Sequence, residues 1–421
     1  MTRSRAEPSS NRPERRSGAG PLSHSAFRWL LAARTTSILG NAVAPIALAF
    51  AVLDLTGSAA DLGLVVAARS VANVAILLLG GVIADRLPRD VVLVGTSLAA
   101  AATQAGIAAL VVTGTATIGS LVLLSVLNGA VAAVSLPTSA ALVPETVPVA
   151  LLRPANALLR LGLNGGSIVG ASAGAGLVAI VGPGWGLAVD AAGFALAAVL
   201  FSRMRLPRRT PVTAQAGTSA SLLGDLREGW REFSSRRWVW IVVAQFSVLN
   251  AAFVGATTVL GPVVADESFG RSAWGLVVAA QTVGLALGAV LALRWRPRRA
   301  LGIGVALMAV TAVPIASLGL LPALPALIVA FALGGMSIEM FAIAWDQSLQ
   351  TNIPREVLSR VYSYDMVGSF VAVPVGEVVV GPLAHAIGTP QTLVGCAAVI
   401  VVATLAATSS ASVRRVTAAS P

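Results

Sequence analysis

Long apolar stretches separated by short polar segments extend from residue 27 to residue 408. Each stretch holds about twenty residues, the length that an α-helix needs to cross a hydrocarbon core roughly 30 Å thick. The pattern therefore predicts an all-α membrane protein. The twelve expected transmembrane spans lie near 29–53, 62–84, 91–113, 118–137, 158–181, 186–204, 238–262, 273–293, 301–321, 324–345, 361–384 and 390–408.

One polar segment is longer than the others and separates the first six spans from the last six. It contains a cluster of arginines, then a stretch rich in Pro, Thr, Ser and Gly, then mixed charges, as expected for a solvated linker. The predicted organisation is a tail at 1–26, a first six-helix half at 27–204, a linker at 205–237, a second six-helix half at 238–408 and a tail at 409–421.

The two halves repeat each other in sequence. The segment GLVVAARSV at 63–71 recurs as GLVVAAQTV at 275–283, with seven of nine positions identical. A second series recurs 206 residues later, where Pro148, Leu152, Gly162, Gly170 and Gly182 correspond to Pro354, Leu358, Gly368, Gly376 and Gly388. Repeated six-helix halves around a midplane site are the architecture of one large class of transporters. We therefore expect two pseudo-symmetric halves.

Arginine placement sets the expected orientation. All 29 basic residues are Arg, and they concentrate in the tails, the linker and the loops on one side of the twelve-span count, whereas the loops of the other side contain only Arg271. Because basic loops stay in the cytoplasm, both termini are predicted to be cytoplasmic. The use of Arg without Lys points to a GC-rich genome. The predicted location is a bacterial plasma membrane, and we expect a monomer.

Composition excludes several classes of function. Hydrophobic residues make up 56% of the chain and charged residues 11%, against roughly a quarter charged in soluble domains. The net charge is +11, but the arginines lie between apolar spans and form no basic face with interleaved aromatics, which argues against nucleic acid. Two His, one Cys and no Lys provide neither a metal-ligand cluster nor a phosphate-loop lysine. We expect no enzyme, metal or cofactor, and the expected partners are the bilayer and a small-molecule substrate.

The segment GGVIADRLPRD at 80–90 resembles the signature loop between helices 2 and 3 of the major facilitator superfamily. The shared features are a glycine followed four residues later by Asp and Arg and then by a further basic residue. The loop departs from the family pattern at Pro88 and Asp90. The resemblance implies the twelve-helix transporter fold and a cytoplasmic gate loop that favours one access state. The gate-loop residues are Gly81, Asp85, Arg86 and Arg89.

Three further segments, at 27–41, 52–57 and 353–361, resemble the enterobactin-exporter-like, drug-efflux-like branch of that superfamily, which implies export. The fifth span resembles its antiporter motif, with Ala171 and Ala175 in place of a Pro and a Gly. The small residues of this motif serve either antiport or close helix packing, and both readings stay open. They are Gly166, Gly170 and Gly174. The fourth span departs from the branch, because Ser125 stands where many proton-coupled drug antiporters have an arginine.

The resemblance also implies that helices 1, 4, 7 and 10 line the substrate cavity. Each of these spans has a polar residue near mid-depth, and such groups are functional candidates because they are costly in a bilayer unless paired or hydrated. The alternative is interhelical hydrogen bonding, worth roughly 0.6 to 2 kcal/mol per contact. The substrate-cavity candidates are Ser37, Asn41, Asn128, Ser247, Asn250 and Glu339.

Ionisable residues within the spans are the candidates for proton coupling. Glu339 lies about 10 Å from the predicted cytoplasmic end of its helix, at 1.5 Å per residue, and is the first candidate. The full set is Glu339, Asp365, Glu377, Arg34 and Arg69. Asp190, Asp346 and Asp365 are expected near the membrane boundaries, where water reaches them and a structural role is favoured.

These features predict a proton-linked exporter of a small amphipathic or apolar compound. An importer or uniporter on the same fold is one alternative. A membrane sensor or scaffold that transports nothing is the other, and it would need a soluble signalling domain or a long interaction tail, neither of which the sequence shows.

Overall fold

The computed structural model describes residues 20–86, 89–140, 142–204, 230–294, 297 and 299–416. Within these residues, twelve helices are long and apolar enough to cross a membrane. We label them α1 (Ser25–Thr56), α2 (Ala59–Arg86), α3 (Arg89–Val112), α4 (Ile118–Ala140), α5 (Leu152–Val181), α6 (Pro183–Ser202), α7 (Arg237–Glu267), α8 (Arg271–Arg294), α9 (Ala300–Leu320), α10 (Leu324–Asn352), α11 (Arg355–Phe370 and Val373–Ile387) and α12 (Thr389–Ser409). The predicted fold class is confirmed.

Three of the helices have irregular segments. A π-helical segment, Ala256–Leu260, lies within α7, and a 3₁₀ segment, Met308–Thr311, lies within α9. The break in α11 falls between Phe370 and Val373, inside the span that the sequence predicted as continuous. Shorter helical turns flank the long helices at Pro21–Ser23, Val143–Thr146, Val149–Leu151 and Ala411–Arg414.

Two glycines of the sequence repeat form equivalent turns. Gly182 separates α5 from α6 with φ 93°, and Gly388 separates α11 from α12 with φ 96°. Both values fall in the left-handed region that side chains with a Cβ avoid. A proline follows each turn in the first helical turn of the next helix, where its missing N–H costs nothing. The 206-residue spacing thus reflects the same glycine turn at equivalent places in the two halves.

Helix packing follows the same scheme in both halves. In the first half α1 packs against α5 and α6, α2 against α4, and α3 against α4 and α6. In the second half α7 packs against α11 and α12, α8 against α10, and α9 against α10 and α12. Each of these contacts has its counterpart six helices later, so the halves are pseudo-symmetric. Most of the predicted linker and tails lies outside the described residues, so the domain boundaries stay predictions.

The halves meet through two equivalent helix pairs, α2 with α11 and α5 with α8. We call the end of the bundle where α1 begins and α12 ends the terminal end, and the opposite end the distal end. Gly63 of α2 lies against the backbone carbonyl of Glu377 in α11, and Gly275 of α8 lies against that of Ala171 in α5. Gly63 and Gly275 are the first residues of the nine-residue repeat, and both lie nearer the distal end of their helices.

An ion pair adds to this distal contact. Arg271 at the start of α8 pairs with Asp54 near the end of α1 at 2.7 Å, and with Asp266 of its own half at 2.6 Å. Its guanidinium also lies 4.8 Å from the centre of the Phe50 ring. In this structure the halves are therefore joined at the distal end by backbone packing and by charge.

The orientation of the bundle in the membrane stays a prediction, and reporter fusions test it. Fusions at Arg16, within 210–220 and after Arg415 are expected to report a cytoplasmic location, because basic segments are retained there. A fusion in the loop after Gly114 is the matched control and is expected to report the opposite side. An external signal from the central segment would contradict the two-halves topology.

Candidate functional site

A cavity of about 300 Å³ lies within the first half, between α1, α2, α3 and α4, with α5 and α6 completing its wall. Its polar side chains come from four different helices. They are Arg34, Ser37, Asn41, Arg69, Asn73, Thr96, Ser97, Asn128 and Ser135. The remaining lining is apolar and includes Leu93, Leu163, Phe194 and Phe201. A small site with a mainly apolar wall and a few convergent polar groups is typical of small-molecule binding.

Half of the predicted substrate-cavity residues line this cavity. Ser37, Asn41 and Asn128 lie on it, together with two proton-coupling candidates, Arg34 and Arg69. Ser37 and Asn41 belong to α1 and Asn128 belongs to α4, and these are two of the four helices that the family resemblance implied as lining the cavity.

The other three predicted cavity residues belong to the second half and lie away from this cavity. Asn250 donates its amide N–H to the backbone carbonyl of Ser369 at 2.9 Å, which joins α7 to α11. Glu339 lies 3.5 Å from Arg160 of α5, whose side chain is 76% exposed. The contact of Asn250 with Ser369 is an interhelical hydrogen bond, which is the alternative to a cavity role. Ser247 is half-buried on α7, one turn before Asn250.

Arg69 connects the cavity to two buried carboxyl groups. It lies about 15 Å from the distal end of α2, counted at 1.5 Å per residue, and interacts electrostatically with both Asp190 and Glu377. Asp190 belongs to α6 and Glu377 to α11, so the three residues draw on three helices and on both halves. We call Arg69, Asp190 and Glu377 the charge cluster.

The expectation that water reaches Asp190 is wrong. Its side chain is 0% exposed, because α6 packs against both α1 and α3 at this level. One carboxylate oxygen accepts a hydrogen bond from the Nε2 of Gln104 in α3 at 2.5 Å, and the other lies against Gly40 of α1 without a hydrogen-bond partner. Burying an ionisable group is costly unless it is paired, which makes it a functional candidate within a membrane.

Glu377 occupies the contact between the halves. Its side chain is 2% exposed, it accepts a hydrogen bond from Ser70, and its Oε2 has no hydrogen-bond partner. The equivalent position in the other inter-half contact is Ala171, which is 206 residues earlier. Arg69 also has no charged counterpart in the second half, because the nine-residue repeat has Gln281 at the equivalent position. The charge cluster is therefore a departure from the internal symmetry, built into only one of two equivalent contacts.

A second, smaller cavity of about 40 Å³ also borders Arg69. It is lined by Arg69, Gln104, Ser125 and Asn128 of the first half and by Thr258 from the π-helical segment of α7. Ser125, where the drug-efflux resemblance expects an arginine, is 1% exposed. A cation is thus present beside Ser125, but it comes from α2 instead of α4. π-helical segments are frequent at functional sites.

Asp365 is separate from the charge cluster. Its carboxylate accepts hydrogen bonds from the indole N–H of Trp345 at 2.9 Å and from the hydroxyl of Ser369 at 3.2 Å. Nearby, the hydroxyl of Tyr362 donates to the exposed Asp346 at 3.0 Å. These contacts join α10 to α11 near the terminal end.

The glycines of the antiporter-like motif pack α5 against α1. A Cβ on Gly170 would overlap the carbonyl of Leu39, and one on Gly174 would press into Val43 at 2.6 Å. Gly166 lies against Ile38 in the same way. The arrangement supports close packing as the role of this motif. The gate-loop residues Gly81, Asp85, Arg86 and Arg89 lie outside the residues whose side chains are described, so the gate stays a prediction.

Comparison with solved structures shows the same fold. The nucleoside transporter NupG (D323A mutant) superimposes with a TM-score of 0.77 at 14% identity, covering 91% of this chain and 99% of that one. A bacterial homolog of the human lysosomal transporter Spinster, inward-facing and unoccupied, gives 0.71 at 16%, covering 93% and 97%. The inward-open xylose transporter XylE from E. coli gives 0.64 at 14%, covering 91% and 94%.

No curated protein sequence matches the chain. A sequence model of one family does match, over residues 30–377, which is most of the chain and extends from α1 into α11. With the twelve helices, the pseudo-symmetric packing and the structural likeness to transporters, this match shows that the chain belongs to the Major Facilitator Superfamily.

Proposed function

We propose that this transporter is proton-coupled and moves its small-molecule substrate by alternating access. The observation that carries the proposal is the charge cluster, which lies beside the cavity and spans the contact between the halves. A buried carboxyl group holds or loses a proton according to the charges that face it. The cluster can therefore change its charge when the halves move relative to each other.

The position of Glu377 suggests how proton binding and movement are linked. Here α2 and α11 are packed together at the distal end, and Glu377 accepts a hydrogen bond from Ser70 and interacts with Arg69, both of α2. Opening of the distal end separates α2 from α11, so Glu377 leaves Arg69 and meets water. A proton bound in that state removes the charge that burial penalises, and closure of the distal end then delivers the proton to the other side.

The direction that we propose first is export, in exchange for protons. It rests on the sequence resemblance of 27–41, 52–57 and 353–361 to exporters. We further propose that the protein lies in a bacterial plasma membrane with both termini cytoplasmic, because basic loops are retained in the cytoplasm. The substrate is a small amphipathic or apolar compound, in keeping with a cavity whose wall is largely apolar, and the protein acts as a monomer.

Proton-coupled import is a second candidate, and one observation favours it. Arg69 lines the cavity and also interacts with both carboxylates. A proton on Asp190 or Glu377 thus makes the guanidinium more available to a solute in the cavity. Where proton and solute favour each other's binding, they cross together.

Transport into proteoliposomes under imposed pH gradients tests the function and its direction. The panel is uridine, dialanine, xylose, benzoate and tetraphenylphosphonium, which covers the nucleoside and sugar classes named for the similar structures, a peptide, and both signs of charge. We expect at least one compound to accumulate against its gradient, and a protonophore to abolish the accumulation. Movement opposite to the proton gradient would identify export, and movement along it import. Accumulation that is insensitive to the protonophore would overturn proton coupling.

A further inference from the structure

We infer that the cavity of the first half binds small organic anions, and that Arg34 and Arg69 hold the negatively charged group. The inference deepens the proposed function by naming the substrate class, and it rests on that proposal for the cavity being the transport site. It narrows the amphipathic compound expected from the sequence to one with a carboxylate, or a similar anion, at one end.

The charged side chains among the described lining residues of the cavity are all positive. Arg34 of α1 and Arg69 of α2 both line it, and no Asp or Glu is among its described lining residues. The two carboxylates of the cluster are buried among helices and are not among the lining residues. The described charges on the wall itself are therefore positive, and in low-dielectric surroundings they attract an anion and repel a cation.

The other lining groups suit a small anion with an apolar part. Asn41, Asn73 and Asn128 supply amide groups beside the two guanidinium groups, while Leu163 and Phe201 belong to the apolar wall. A guanidinium group matches the geometry of a carboxylate because it can donate two parallel hydrogen bonds. The volume of about 300 Å³ is at the lower end of the range for small-molecule sites, which favours a compact solute.

Arg69 connects the anion to the proton. It lines the cavity and also interacts with Asp190 and Glu377, so a proton on either carboxylate removes a negative charge that acts on its guanidinium. An anion in the cavity is therefore expected to bind together with a proton, and this agrees with the second candidate direction.

Binding of matched charged and neutral probes to the purified protein tests the inference. The probes are benzoate with benzamide and hexanoate with hexanamide, because each pair has the same shape and differs in charge, and benzylamine as the cation. Binding is measured by calorimetry and by ligand-induced thermal stabilisation. We expect at least one carboxylate to bind more tightly than its amide, and benzylamine not to bind.

Four variants show whether the arginines hold the anion. Arg34→Gln and Arg69→Gln are each expected to weaken carboxylate binding roughly ten-fold or more, as loss of a charge-assisted hydrogen bond does. Arg34→Lys and Arg69→Lys are expected to keep part of the affinity, which a purely structural role would not give. Arg28→Gln is the matched control, since Arg28 is exposed on α1 and outside the cavity.

The outcome for the anion is separable from the outcome for proton coupling, because binding needs no gradient. Equal affinity for acid and amide, binding of benzylamine, unchanged carboxylate binding in the Arg34→Gln/Arg69→Gln double variant, or no binding by either carboxylate would each overturn the anion site. Carboxylate binding without proton-driven accumulation would overturn only the proposed coupling.

Discussion

Replacing Glu377 with Gln is expected to abolish uphill transport driven by a pH gradient and to leave downhill exchange of the same substrate close to the wild-type rate. Gln has the shape of a protonated Glu and can still accept the hydrogen bond from Ser70. Exchange needs the cavity and the movement of the halves, whereas uphill transport also needs a proton to be released in each cycle. The measurement is paired, with both fluxes taken from the same reconstituted variant.

Two further variants place this result in context. Glu267→Gln is the matched control, because Glu267 is exposed at the distal end of α7, and it is expected to change neither flux. Glu339→Gln tests the first candidate from the sequence, and we expect it to keep uphill transport because Glu339 lies outside the charge cluster and pairs with an exposed arginine. If Glu377 is only structural, Glu377→Gln will lower the yield and reduce both fluxes together. Wild-type uphill flux in Glu377→Gln would remove it from the coupling mechanism.

The spans and the two halves could be predicted from sequence because membrane helices are specified by length and hydropathy alone. Backbone polar groups have no water to bind within the bilayer, so a long apolar run has one available structure. The repeat at 63–71 and 275–283 then correctly indicated two equivalent halves. The break in α11 was not predicted from hydropathy, since Val371 and Ala372 are apolar, although Pro374 in the first turn of the second segment was a signal for it.

The charge cluster was missed because no local pattern reports which helices face each other. Glu377 and Arg69 were both candidates, but 308 residues separate them in sequence, and Asp190 was placed by counting from the end of its span. One signal was available. The two mismatches in the nine-residue repeat are Arg69 and Ser70 against Gln281 and Thr282, and these are the residues of α2 that face Glu377.

The cavity was predicted in part. The family resemblance implied contributions from α1, α4, α7 and α10, and Asn41 and Asn128 do line the cavity. Asn250 instead donates to a neighbouring backbone carbonyl. An Asn in a membrane helix satisfies its amide either in a polar cavity or on another helix, and hydropathy does not distinguish these two environments.

Alanine at Gly63 or Gly275 is expected to reduce transport strongly while leaving each half folded. A Cβ on Gly63 would overlap the carbonyl of Glu377, and one on Gly275 would overlap Ala171 and Ala175. Overpacking of this kind costs roughly 1 to 3 kcal/mol. The contact exists between halves and only while the distal end is closed, so the cost falls on that state. Its population relative to the distal-open state is expected to drop roughly 5- to 150-fold.

Distances between the halves measure this shift directly. Spin labels at Leu55 and Glu267, one exposed distal position in each half, report separation of the distal ends once the native Cys396 is replaced by Ala. We expect Gly63→Ala and Gly275→Ala to move the distance distribution towards longer values, and their thermal stability to stay near that of the wild type. Gly95→Ala is the matched control, because nothing lies within 4 Å of its Cβ position.

Glycines within one half should behave differently, and this contrast decides the interpretation. Cβ atoms on Gly129 and Gly335 would overlap the carbonyls of Arg69 and Gln281, which belong to the same half as each glycine. These contacts persist in both access states, so Gly129→Ala and Gly335→Ala are expected to lower thermal stability without lengthening the distal distance. If Gly63→Ala instead behaves like the Gly129 and Gly335 variants, its thermal stability will be lower and its distal distance unchanged. That result would show that α2 and α11 do not separate during the cycle. The proposed exposure of Glu377 to water at the distal end would then fail with it.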